Sequence, residues 1–203
     1  MNLNTIYKIF PKDNCNNMEK LWYDNEGLWS ITHPDTSNII SEEILKLSNE
    51  LNLNKTIIDL NAGLGGNLLS FANFFDKVGG VEIDDNRFKI LKNNVKNYNY
   101  DNIEIYHDDC VEIIPKIKND YDIFFFDPPW GGPTYKNHNN ITLKLSNINL
   151  EDIVNKYENK LIILKLPYNY ENKFSNIIKK IKFGNICILF IFCNKTKDMH
   201  HSE

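Results

Sequence analysis

The chain has 203 residues, with 23 Lys+Arg against 27 Asp+Glu and a formal net charge of −4. That length makes one domain the default and can bury about 70% of the unfolded chain's surface. The charge excludes a broadly basic coat, so any contact with nucleic acid must be local, and no apolar run reaches the roughly 18 residues of a membrane span.

In chain order, residues 1 to about 33 read as irregular and aromatic-rich, with Tyr7, Phe10, Trp22, Tyr23 and Trp29. Thr32-His33-Pro34 then offers a helix start, with proline where its missing N–H costs little. Ile39, Ile40, Ile44, Leu47 and Leu51 follow at helical spacing. From there strands and helices alternate. Thr56 to Leu60 predicts a strand, and Leu68, Leu69, Ala72 and Phe75 a helix. Val78 to Glu82 predicts the second strand, and Phe88, Leu91, Val95 and Tyr98 the next helix. Ile103 to Tyr106 is a third strand, Val111, Ile114 and Ile117 a short helix, Tyr121 to Phe126 a fourth strand and Leu161 to Leu164 a fifth. A Lys-rich helix is expected near 171–181, its Lys173, Lys179, Lys180 and Lys182 forming a solvated face, before one or two strands from about Phe183 to Cys193. Near-continuous apolar strands alternating with helices predict an α/β fold: a mostly parallel sheet with helices on both faces. In such sheets ligands bind at the carboxyl ends of the strands.

The polar residues of interest fall at those ends. After the first strand the chain reads Asp59-Leu60-Asn61-Ala62-Gly63-Leu64-Gly65-Gly66-Asn67. Glycines permit a sharp turn and a close approach of ligand to backbone, and a helix N-terminus attracts a carboxylate. The spacing is not G-x-G-x-x-G, and no Lys-Ser/Thr follows for a nucleotide phosphate. Glu82 ends the second strand, where an acid can accept both hydroxyl protons of a ribose. Asp109 follows the third, placed to accept from an adenine amino group. Asp59 can hold an ammonium by a charge-assisted bond. Ribose, adenine, ammonium and carboxylate together describe S-adenosylmethionine.

The fourth strand empties into Asp127-Pro128-Pro129-Trp130-Gly131-Gly132-Pro133. Two prolines remove two N–H donors and stiffen the loop. A base amine held by the Asp127 side chain and the Pro128 carbonyl would present its nitrogen lone pair to an electrophilic methyl group. Proximity and orientation carry most of the rate of such an in-line displacement. Trp130 can stack on the target base, and a cationic base such as 7-methylguanine adds about 0.5–2 kcal/mol of cation–π attraction.

These segments resemble the trimethylguanosine synthase family of RNA-cap guanine-N2 methyltransferases. The resemblance rests on Asp59–Asn67, Glu82-Ile83-Asp84, Asp108-Asp109-Cys110 and above all Pro128-Pro129-Trp130-Gly131-Gly132-Pro133 with Tyr135. Asp24 to Thr32 looks like that family's lead-in to its first helix, and the likeness covers about residues 22–195. It implies a Rossmann-like class I S-adenosylmethionine-dependent fold with a seven-stranded sheet. Residues 34–197 would be the methyltransferase core, 1–33 an extension folding over the active site, and 198–203 a frayed tail. It implies cofactor contacts from Asp59, Asn61, Ala62, Gly63, Gly65, Asn67, Glu82, Ile83, Asp109, Cys110 and Asp127. Asp127, Pro128 and Trp130 would carry the chemistry, with Trp130, Pro129, Thr32, Lys20 and Tyr168 toward a 7-methylguanosine cap. The family usually has Ser where this chain has Asp127, and an arginine where it has Tyr168. By position Lys20, Lys136 and Lys165 are the cations nearest to replace that phosphate contact.

Cys15, Cys110, Cys187 and Cys193 show no C-x-x-C and no zinc-like His spacing, so they read as reduced thiols of an intracellular protein, nuclear or cytoplasmic, with no metal site. His33, His107 and His138 lack the spacing of a triad. The start, MNLNTIYKIFPK, lacks a signal-peptide layout. Roughly one residue in six is Asn, above ordinary usage, and Arg87 is the one arginine among lysines. These residues have A/T-rich codons, which with the small size fits a viral or protist source. A monomer acting on capped RNA is the expectation. The alternatives are another exocyclic-amine methyltransferase, on adenine-N6 or ribosomal guanine-N2, and a silent cap-binding module that would fail to bind S-adenosylmethionine.

Overall fold

The computed structural model describes residues 2–192. Cys193 and the tail expected over 198–203 lie outside the described residues. Seven strands form one sheet: β1 (Thr56–Asp59), β2 (Lys77–Glu82), β3 (Ile103–His107), β4 (Ile123–Phe126), β7 (Leu161–Pro167), β8 (Ile177–Phe183) and β9 (Ile186–Phe192). Their order is β3-β2-β1-β4-β7-β9-β8. The first five are parallel, and β9 runs antiparallel to both β7 and β8. This is the α/β sheet that the strand–helix alternation predicts.

Both faces are covered. Ile40, Ile44 and Leu47 of α3 (Pro34–Glu50), Leu68 and Phe71 of α4 (Gly66–Phe71) and Leu91 of α5 (Asp85–Lys96) pack on Ile57, Val78, Phe125, Ile163 and Phe190. On the other face, Ile113 and Ile114 of α6 (Cys110–Ile117) and Leu150, Ile153 and Val154 of α7 (Leu150–Val154) pack on Ile58, Phe124, Phe126, Leu164 and Leu189. Alternate strand residues therefore serve opposite cores, which is why these strands read as unbroken apolar runs. Strand order reverses between β1 and β4, and that switch point opens the crevice that holds the site.

Two expectations need correction, and one element was not expected. Residues 1–33 are not irregular: α1 (Leu3–Ile9), a 3-10 turn (Met18–Lys20) and α2 (Asn25–Ser30) occur there. Each is capped by an Asn or Asp side chain, Asn2, Asn17 and Asp24 respectively, the residues that best satisfy free N–H groups. Their Ile6, Phe10 and Leu21 build a third apolar cluster with Leu64, Leu69 and Tyr98. Tyr98 lies beyond the end of α5, where its hydroxyl donates to the Pro11 carbonyl at 2.6 Å.

The Lys-rich helix expected near 171–181 does not form. Residues 177–183 are edge strand β8, with Ile178, Lys180 and Lys182 exposed and their alternates half-buried. The period is two, not 3.6, and β-branched isoleucines fit the pleat. Lys179 does not join a solvated face, because it pairs with Glu43 of α3. Finally, the stretch between Pro133 and Leu161 holds a small hairpin, β5 (Lys144–Leu145) and β6 (Ile148–Asn149), turned by Ser146 and Asn147 in left-handed conformations.

Candidate active site

The sheet lines up four titratable residues along its carboxyl edge. In strand order they are Glu82 at the end of β2, Asp59 at the end of β1, Asp127 just after β4 and Lys165 near the end of β7. Glu82 is buried, and its two oxygens accept from the backbone N–H groups of Gly63 and Asp84, both at 2.9 Å. Arg87 Nε stands 3.6 Å away. Asp127 receives the Lys165 ammonium at 2.6 Å, and the Asn67 side chain lies near enough to favour its ionised form. Asp59 lies between the two other acids, fully buried, and accepts only the Asn61 N–H, at 3.2 Å. Burial, reinforced by the Asp127 charge, pushes its carboxyl up to about 8. The middle acid of the row therefore holds a proton at neutral pH.

The glycine turn sits directly above this row. Gly63 and Gly65 have positive φ values of 54° and 97°, and Gly65 caps α4. The N-terminal segment presses on the turn. A Cβ on Gly27 would lie 2.4 Å from Leu64, and one on Gly66 would lie 2.6 Å from Ile31 and 3.1 Å from the Thr32 carbonyl. Asn94 of α5 ties the two together: its Oδ1 accepts from the Trp22 N–H at 2.8 Å, and its Nδ2 donates to the carbonyls of Trp22 and Leu64. Arg87 adds an ion pair at 2.7 Å with Glu26 of α2. So the single arginine links the N-terminal segment to the acid that ends β2.

The Asp127–Trp130 loop forms the other wall. Pro128 is buried and Pro129 exposed. Trp130 is half-buried and leans on the core under α6 and α7. Tyr135 meets its ring edge-on at 5.2 Å, and the Lys165 ammonium stands 5.5 Å from its centroid. Asn169 fixes the far end of the loop, its Nδ2 donating to the carbonyls of Tyr135 and His138 at 2.8 and 2.6 Å.

The remaining predicted residues differ in their placement. Asn61, Ala62, Asn67 and Thr32 gather around the crevice with Asp59, and Cys110 lies close enough to interact with the Asn61 side chain. Burial and the neighbouring Asp109 charge push the Cys110 thiol up to about 12, so it acts as a small apolar group. Ile83 is 61% exposed at the end of β2, an apolar surface on an otherwise polar rim. Asp109 is in place but already employed: it caps α6 through the Val111 N–H and accepts the Ser146 hydroxyl from the β5–β6 turn. Tyr168 is exposed beside Tyr135 and thus near the Trp130 loop. Lys20 is held elsewhere, its carbonyl accepting from Asn93 on α5 and its side chain exposed.

Sequence reasoning missed what Lys165 does. Read as a phosphate contact, it is 3% exposed and turned inward. It also passed over Asn94 and Asn169, hidden in an Asn-rich sequence. A lysine inside the apolar run Leu161–Leu166 was the available signal, because a buried ammonium requires a partner.

Does S-adenosylmethionine fit these residues? Four buried side-chain atoms around the crevice have no hydrogen-bond partner: Asp59 Oδ2, Asn61 Oδ1, Asn67 Oδ1 and Thr32 Oγ1. Each can accept from an ammonium or hydroxyl donor, Asp59 once its proton leaves and Thr32 as a hydroxyl that also donates, and unmet buried polar groups are costly. Glu82 keeps a second lone pair on each oxygen for a diol. The donor's functional groups match the set.

A family model described as RNA cap guanine-N2 methyltransferase matches residues 54–196. The chain belongs to that family. An uncharacterised protein of Acanthamoeba polyphaga mimivirus is 36% identical to this cap methyltransferase family member over 195 residues, 84% of this chain and 76% of its own. Trimethylguanosine synthase of Schizosaccharomyces pombe is 26% identical over 65% of this chain, which spans about half (54%) of that relative. A 16S rRNA N2-guanine methyltransferase of Thermus thermophilus, solved with AdoMet and guanosine, has a TM-score of 0.55 at 17% identity, over 85% of this chain and 44% of that one. At such identity the likeness establishes the fold alone, that of S-adenosylmethionine-dependent methyltransferases. Among the described residues no helix is long and apolar enough to cross a membrane.

Proposed function

We propose that this protein transfers methyl from S-adenosylmethionine to the exocyclic N2 of 7-methylguanosine at an RNA cap. The product is 2,7-dimethylguanosine, with a second transfer to 2,2,7-trimethylguanosine where the pocket admits a monomethylated amine. The observation that carries the reading is the Asp127–Trp130 loop: a carboxylate and a half-buried indole side by side at the switch point of a methyltransferase sheet. The family match supports it, as does the printed activity of the S. pombe relative.

When bound, S-adenosylmethionine supplies a methyl group whose bond to sulfur breaks, sulfur keeping the electron pair, as the N2 lone pair forms the new bond. Asp59 Oδ2 and Asn61 Oδ1 would hold the amino-acid end of the donor, and Glu82 its ribose hydroxyls. Asp127 and the Pro128 carbonyl accept the two protons of the target amine and so aim its lone pair. One of those protons leaves through Asp127 to solvent once the nitrogen is alkylated. Trp130 stacks on the base, whose positive charge strengthens the contact.

The test is methyl transfer from labelled S-adenosylmethionine to 7-methyl-GTP, with GTP and an uncapped RNA in parallel, and mass spectrometry to count methyls. Transfer to 7-methyl-GTP alone supports the cap reading. Equal use of GTP removes the cationic-stacking argument. Label in uncapped RNA alone moves the function to a general nucleobase-amine methyltransferase, the reading that an aspartate at position 127 favours.

A further inference from the structure

Lys165 is the one lysine with under a tenth of its surface exposed among the described residues, and its position is unusual on three counts. Its ammonium is 2.6 Å from Asp127 Oδ2, 3.5 Å from the Ser30 carbonyl at the end of α2 and 5.5 Å from the Trp130 ring centroid. One cation thus touches the β4 loop, the N-terminal segment and the stacking residue. Its Cα sits in mid-ladder, paired in register with Ile188 of β9, so the side chain emerges from a rigid element. Asp127 itself is 16% exposed, and the acid nearest to it in the row is Asp59.

We infer that Lys165 is a positioning residue for methyl transfer: its ammonium holds Asp127 as an oriented, ionised acceptor and couples that state to the docking of Ser30. The inference rests on the proposed role of Asp127 toward the target amine. Its physical basis is the choice between two forms of one carboxyl. An ionised Asp127 accepts from an amine. A protonated Asp127 presents a hydroxyl donor to the same amine, which turns the nitrogen lone pair toward the acid and away from the methyl group.

Burial raises the Asp127 carboxyl from its ordinary value, and Lys165 opposes that rise through charge and hydrogen bond, with Asn67 helping. The groups that face Asp127 are few: Lys165 from β7, Asn67 from α4 and Asp59 from β1, with Glu82 of β2 acting on Asp59 in turn. Asp59 is neutral at pH 7, and Lys165 is the one cation among them. Without it, burial decides, and Asp127 takes a proton.

The experiment follows the Asp127 carboxyl by carbon NMR across pH, assigned against Asp127→Ser. In parallel it follows the pH dependence of kcat with whichever acceptor the wild type methylates. In the wild type Asp127 is expected to be ionised at pH 7, and a carboxyl mostly protonated at that pH overturns the inference without any variant. In Lys165→Met the midpoint rises by about two units or more, the acid limb of kcat rises with it, and kcat at pH 7 falls about 100-fold. An equal loss of kcat at every pH, with the limb unmoved, would mean that Lys165 only fills space, and would overturn it.

Asp127→Ser leaves a buried ammonium unpaired and Lys165→Met leaves a buried carboxyl that must take a proton, so both are expected to melt lower than Lys165→Met/Asp127→Ser, which removes both groups. A double variant no more stable than the singles refutes the pairing. If no acceptor is methylated by the wild type, the proposed function has failed, and the NMR midpoints still decide the role of Lys165.

Discussion

Asp59 offers the sharpest physical test. Its carboxyl is buried between Glu82 and Asp127 with a single N–H for support, and its affinity for a proton rises from an ordinary 3.8 to about 8. In the unfolded chain it ionises near its ordinary value. Between those two values the native state binds one more proton than the unfolded state, so stability falls as pH rises. The slope from this group is about 1.4 kcal/mol per pH unit. Asp59→Asn removes the titration and retains an oxygen for the Asn61 N–H. The substituted protein should therefore gain on the wild type steadily between pH 5 and 7, by roughly 3 kcal/mol over the interval. For a chain of about 200 residues that widens the Tm gap by roughly 6–12 °C. Thermal melts of both proteins at half-unit steps, in buffers of constant ionic strength, give the answer. Parallel Tm curves would mean that Asp59 is ionised in the native protein and would refute the reasoning. The same proton gives a binding signature. An incoming ammonium ionises Asp59, so S-adenosylmethionine should bind with release of close to one proton at pH 7, read by calorimetry in buffers of different ionisation enthalpy.

Trp130→Ala should raise KM for 7-methyl-GTP about tenfold, the loss expected for a cation–π stack, and leave S-adenosylmethionine binding within twofold; activity within a factor of two would remove the stacking role. Glu82→Ala should do the reverse, weakening S-adenosylmethionine at least tenfold by fluorescence titration, since two backbone N–H groups and a diol lose their acceptor. Asn94→Ala removes three hydrogen bonds between α5, the N-terminal segment and the glycine turn. It should cost roughly 2–4 kcal/mol and speed amide exchange over residues 2–31 more than in the sheet. Uniform acceleration would show that the segment is not separately held.

Much of this site was legible because strand ends are legible. Asp59, Glu82 and Asp127 each close an apolar run, and the fold rule for parallel sheets then brings them to one edge. What the sequence could not supply was the order of the row. Only the arrangement β2-β1-β4-β7 sets Asp59 between two acids, and Lys165 beside Asp127 and out of reach of solvent. That order decides which acid keeps its proton. Glu82 has Arg87 and two N–H groups, Asp127 has Lys165, and Asp59 has neither cation. The β8 strand is hidden for a local reason: its lysines suit a helix face, and the alternating burial of its isoleucines shows only once a partner strand is in place. The asparagines failed differently. In a chain this rich in Asn no single one stands out, and Asn94 and Asn169 are distinguished only by burial, where an amide must find partners for its donors. The site thus rests on an asymmetry that composition hides: three carboxyls and two cations, arranged so that the one acid without a cation is the one aimed at the place where a cationic donor would enter.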